Sequence, residues 1–180
     1  MSYTFSLAGN DAIPEIVSIY NSIIGIPGCT WNAEYPSIET AESDINSKSL
    51  YLLKRQEGIV AVVSAGSFNE LGHLKWKPKN PCELARIGVI PSMQRQGVGT
   101  AFLYNVISAM MEKGYDGIRM IVSKNNPAAL ALYNKNGFEM CGETFMYDID
   151  FYCYQMLFRI THMTGDGDNE DKRGILRLSS

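Results

Sequence analysis

The chain has 180 residues, 46% of them hydrophobic and 19% charged, with a formal net charge of −3. That is ordinary composition for one globular domain with a core of its own. The mild acidity excludes the basic stripe that nucleic-acid phosphates require, and no apolar run reaches the length that spans a bilayer.

Ser2 to Leu7 alternates like a short strand, and Asn10 or Asp11 is placed to cap a helix through Ile13, Pro14, Ile16, Val17, Tyr20 and Ile23. Acidic Asp11 and Glu15 stand where a secretory signal would be apolar, so a cytoplasmic protein with no membrane partner is expected. GIPGCTWNAEYP, residues 25–36, reads as a loop carrying Trp31 and Tyr35; Ser37, Thr40 and Glu42 then open a polar helix to about Ser47. Leu50 to Lys54 and Ile59 to Gly66 predict an antiparallel hairpin, residues 68–81 a loop, and Cys82 to Ile90 another strand.

A long helix is predicted from Gly97 to Lys113, a strand from Gly117 to Val122, and a helix from Asn126 to Asn136. The last has Asn as cap, proline at its first position and Gly137 just past its end, the usual punctuation of a helix. Strands at 138–145 and 149–157 close a domain over residues 1–158, and residues 159–180 read as a flexible, solvated acidic tail. Cys29, Cys82, Cys141 and Cys153 form no CxxC pair and His73 and His162 stand alone. Reduced, mostly buried thiols and no metal site are expected.

The most informative stretch is IPSMQRQGVGTAFL, residues 90–103. A strand running into a glycine-bearing turn and then a helix collects free amides and the positive end of the helix dipole at one point, which suits a phosphate. Gly97 and Gly99 would let a ligand approach the backbone; equally, they could only permit a tight turn and close helix packing. No Lys-Ser/Thr follows the glycines and no GxGxxG opens the chain, so neither a Walker loop nor a dinucleotide fold is spelled here.

Gln94-x-x-Gly97-x-Gly99 after a strand ending at Val89, followed by NPAALALYNKNGF at 126–138, resembles the GNAT superfamily of acyl-CoA N-acyltransferases. That family's pyrophosphate loop reads Gln/Arg-x-x-Gly-x-Gly/Ala, and its second signature is Asn-x-x-Ala-x-x-x-Tyr-x-x-x-Gly-Phe. The resemblance covers everything before the tail. It implies an α+β fold, an α/β/α sandwich with a mixed central sheet of about seven strands and helices on both faces. Two parallel strands, here Cys82 to Ile90 and Gly117 to Val122, would splay to admit acetyl-CoA as acyl donor, with no metal. It further implies that main-chain groups of Ile87, Gly88 and Val89 hold the pantetheine and thioester end. The loop Gln94, Arg95, Gln96, Gly97, Val98, Gly99 and Thr100 would hold the phosphates, with Asn126 and Ala129 beside the arm.

The implied reaction is acetyl transfer to a primary amine. An alkylamine of pKa near 10.4 is mostly protonated at neutral pH, a handicap of roughly 4.6 kcal/mol that a base or a dry pocket must offset. Glu83 is the candidate base, since the catalytic glutamate of the histone-acetylating branch occupies the corresponding strand position; a water chain is the alternative. An ion pair with Arg86 would leave Glu83 merely structural, but residues three apart on a regular strand face opposite ways unless a bulge intervenes. Tyr133 shares a helical face with Asn126, Ala129 and Leu130, and the family's matching tyrosine protonates the departing CoA thiolate.

Trp31, Tyr35, Phe145 and Tyr147 are candidates for the acceptor side, with Glu34 and Asp148 as possible partners of a cationic amine on a small molecule or peptide. Neither the acceptor nor the choice between monomer and homodimer is legible. A non-catalytic module that binds and senses acyl-CoA is the rival reading.

Overall fold

A computed structural model describes residues 2–159; the acidic tail expected from 159 onward lies outside the described residues apart from Arg159. The elements are β1 (Thr4–Leu7), α1 (Ile13–Ile23), α2 (Ile38–Asn46), β2 (Leu50–Arg55), β3 (Gly58–Gly66), β4 (Pro81–Val89), α3 (Val98–Glu112), β5 (Gly117–Ser123), α4 (Pro127–Lys135), β6 (Glu139–Met146) and β7 (Ile149–Leu157). They build one seven-stranded sheet in the order β1-β2-β3-β4-β5-β7-β6. Among the described residues only β4 and β5 run parallel, with the crossover helix α3 between them.

The apolar runs of the central strands bury both faces. Leu50 and Leu52 of β2 pack with Ile16, Ile19, Tyr20 and Ala41 of α1 and α2. Tyr51 and Leu53 pack the other way, with Phe102, Leu103 and Val106 of α3 and Tyr133 of α4. The period of two along β2 thus sends neighbouring residues into separate cores, and the sheet is the middle layer of the expected sandwich.

Local signals set most boundaries. Ser37 caps α2 in a reciprocal box: its hydroxyl accepts from the Thr40 amide (3.3 Å) while the Thr40 hydroxyl accepts from the Ser37 amide (3.2 Å). The cap expected for α1 is different. Asn10 and Asp11 lie in a 3₁₀ turn, Asn10–Ala12, that runs straight into α1, so neither side chain caps it; Pro14 does sit in its first turn.

One irregularity shapes the site. Ala85 pairs with Ser64 and Gly88 with Val62, so β4 spends three residue steps where β3 spends two. The extra residue is a bulge, with Arg86 at φ +53°. On its other side β4 pairs with β5 only through Pro81–Gly117, Cys82–Ile118 and Glu83–Arg119. Beyond Glu83 the two parallel strands part.

Candidate active site

The gap between the parted strands opens into a cleft of about 580 Å³, walled by Ile87, Gly88 and Val89 on β4 and by Ile121, Val122 and Ser123 on β5. From Leu84 onward β4 has, among the described residues, a ladder partner on the β3 side alone, so main-chain groups on its other edge face the cleft. Gly88 is small because its neighbours come close: a Cβ there would stand 2.6 Å from Ile23 Cδ1 and 3.1 Å from Trp31 Cη2.

At one end of the cleft lies the glycine turn. Arg95 (φ +58°) and Gly97 (φ +82°) are both left-handed, which curls the chain so that the amides of residues 95–100 donate to no carbonyl among the described residues. Alternating backbone handedness before a helix start forms a concave set of donors for anions. Gln94 braces the turn, its Nε2 donating to the Val89 carbonyl at 3.0 Å. Gln94, Arg95, Gly97, Gly99 and Thr100 line the cleft. Two expected contacts do not: the Gln96 side chain donates to the Ser92 carbonyl, and Val98 is buried in the core, so only their main chains are available.

α4 forms another wall. Asn126 caps it by accepting from the Ala129 amide (3.0 Å), which leaves its side-chain NH2 without a protein partner among the described residues. At the other end Gly137 is left-handed and the Phe138 amide donates to the Tyr133 carbonyl (3.1 Å), a Schellman closure. Phe138 then packs edge-on against the Tyr133 ring, centroids 5.4 Å apart. The helix terminus therefore clamps the ring of Tyr133, which lines the cleft. Burial raises the Tyr133 phenol well above its ordinary pKa, so it stays a proton donor at neutral pH.

Glu83 does not line the cleft but a second chamber beside it. Its Oε1 accepts from the Leu71 amide (3.0 Å) and from Arg119 Nε and Nη2 (2.9 and 2.6 Å), while Oε2 accepts only from the Glu70 amide (3.1 Å). The partner is Arg119, its register neighbour on β5, rather than Arg86. The opposite-faces argument from regular strand geometry fails at the bulge, yet Arg86 is still diverted elsewhere. Its Nε and Nη2 hold buried Asp44 in a bidentate pair (2.8 and 2.9 Å), and its Nη1 donates to the Tyr35 hydroxyl (2.9 Å).

The second chamber, about 800 Å³, shares Thr30, Trp31, Arg86, Ile121 and Phe151 with the cleft. Trp31, Tyr35 and Tyr147 line it as anticipated, whereas Phe145, Glu34 and Asp148 line neither space. Phe145 is exposed on β6, where it pairs with Asp150, whereas Tyr147 lies in the left-handed turn beyond the strand end. Asp44, Arg119 and Phe151 escaped sequence reasoning. Arg119 could have been found by aligning the starts of the two parallel strands; nothing in the spacing of α2 marks Asp44.

Comparisons with known proteins agree with this geometry. A model described as the Acetyltransferase (GNAT) family matches residues 16–138. The L-methionine sulfoximine/L-methionine sulfone acetyltransferase of Pseudomonas aeruginosa is 24% identical over 150 residues, 79% of this chain and 84% of that protein. A GNAT-family acetyltransferase from Streptococcus agalactiae superposes with a TM-score of 0.74 at 17% identity, covering 87% of this chain and 96% of that one. A protein of Salmonella typhimurium described as an acetyltransferase, solved with its cofactor acetyl-CoA, gives 0.70 at 16% identity, covering 93% and 100%. With the family model spanning both signature motifs, the splayed strands and the α4 wall, the chain belongs to the GNAT acetyltransferase family.

Proposed function

We propose that the chain transfers the acetyl group of acetyl-CoA to a primary amine, with the donor in the cleft and the acceptor in the second chamber. The observation that carries this reading is the parting of β4 from β5 between a turn of free amides and the Tyr133 ring. The cleft also suits a polyanion by charge, since Arg95 and Lys135 line it and no carboxylate among the described residues does. The amides of residues 95–100 would hold the phosphates, the open edge of Ile87 to Val89 and the Asn126 NH2 the arm. Acetyl-CoA supplies a thioester, whose acyl carbon an amine attacks.

The chain's own groups manage the protons. Glu83 Oε2 retains an acceptor site and lines the acceptor chamber, so a water on it can take the proton that the amine loses. Tyr133 Oη delivers a proton to the departing sulfur. One N–C bond forms, one C–S bond breaks, and no oxidant or reductant is needed. Tyr133→Phe tests the reading: turnover measured by thiol release should fall by about a hundredfold or more while CoA affinity stays unchanged. An acyl-CoA sensor would lose nothing by the same change.

A further inference from the structure

The charges around the two adjoining spaces have opposite signs. Where the cleft has Arg95 and Lys135 and, among the described residues, no acid, the second chamber has Glu39, Asp44, Glu70 and Glu83, with Arg86 on the wall between the two. Arg86 is already committed to an anion. Asp44 takes two of its nitrogens, Ser64 and Tyr35 accept from it as well, and the Phe68 ring covers its Cζ at 5.3 Å. Asp44 and Arg86 are both only 6% exposed in their side chains, so the pair is closed to solvent as well as satisfied. Glu83 is likewise neutralised by Arg119.

Glu39 and Glu70 remain, neither of them in an ion pair among the described residues. Five rings line the same space: Trp31, Tyr35, Phe68, Tyr147 and Phe151. Aromatic faces attract cations, and a chamber of this size matches a small-molecule ligand rather than an extended chain. A carboxylate entering it would find no cation free to pair with and two carboxylates already there.

Resting on the reading of this chamber as the acceptor side, we infer that the acceptor is a small cationic amine with no carboxylate beside the reacting nitrogen, a diamine being the simplest case. The methylenes of such a molecule lie against the rings, its second ammonium lies between Glu39 and Glu70, and the reacting nitrogen points past Glu83 to the cleft. Amino-acid acceptors of the kind named for the Pseudomonas relatives are selected against by the same charges.

The test compares putrescine with L-methionine sulfone, by calorimetric binding to the CoA-loaded protein and by thiol release with acetyl-CoA. Putrescine should bind, and should be favoured by about tenfold or more in kcat/KM. Glu39→Gln and Glu70→Gln should each raise the putrescine KM by about threefold without altering CoA affinity. Equal or better use of methionine sulfone would overturn the inference and leave the transferase reading standing. So would failure of putrescine to bind, or an unchanged KM in both variants. Binding of putrescine without acetylation of either amine would uphold the chamber's selectivity and sink the transferase reading instead.

Discussion

A Cβ on Gly97 would meet nothing within 4 Å, yet its φ of +82° is one that branched residues avoid; Gly99 has the reverse problem, its Cβ landing 3.2 Å from Leu132 Cδ2. Gly97 therefore keeps the turn curled, and Gly99 lets α3 lie close on α4. Gly97→Val should cost about 1–3 kcal/mol in urea unfolding and weaken CoA binding, while Gln96→Ala, on an exposed side chain, should change both little. Cys82, buried in the core beside Glu83, gives a pH signature. Burial, then the neighbouring Glu83 charge, pushes its thiol up to about 12 from 9.0. The unfolded chain releases that proton first, so stability is complete below about pH 9 and declines above it, by up to roughly 1.4 kcal/mol per pH unit. Chemical denaturation between pH 9 and 10 should show this decline in the native chain and a shallower one in Cys82→Ala, the Cys141 and Cys153 thiols, also raised by burial, supplying what remains.

Among the elements, β4 does the most, because its bulge turns Arg86 toward Asp44 of α2 and lets the strand leave β5. Removing one member of that buried pair strands the other. Asp44→Ala should cost about 3–5 kcal/mol in denaturant titration, and a joint Asp44→Leu, Arg86→Met replacement should recover most of it. The same bulge marks the limit of pattern reading: alternation cannot show where a strand inserts a residue, since that depends on its partner. α4 is the opposite case. Its cap, its proline and its Gly137-Phe138 closure are all local, so both its ends and the placement of Tyr133 were legible from a dozen residues. At α1 a local cap was expected from Asn10 or Asp11, and the chain enters through a 3₁₀ turn instead.

For the whole molecule, two spaces of opposite charge share a wall at Trp31, Arg86 and Phe151. The net charge of −3 conceals this division, because it averages a basic cleft with an acidic chamber. Acetyl-CoA at about a hundred times its Kd should stabilise the fold by roughly 2.7 kcal/mol, a rise in Tm of about 5–11 °C for a chain this size. High salt should reduce that rise, since part of it comes from Arg95 and Lys135 at the cleft.

The order of the strands and helices, the glycine turn before α3 and the position of Tyr133 on α4 were legible in the sequence, because each rests on spacing and punctuation over a few neighbouring residues. The pairing of Glu83 with Arg119 and of Arg86 with Asp44 was decided only in three dimensions, since these partners lie 36 and 42 residues apart. So was the shape of the second chamber, assembled from two loops, α2, β4, β5 and the β6–β7 hairpin. Short-range patterns specify the frame and the glycine turn; long-range packing specifies the shape and charge of the chamber beside the cleft.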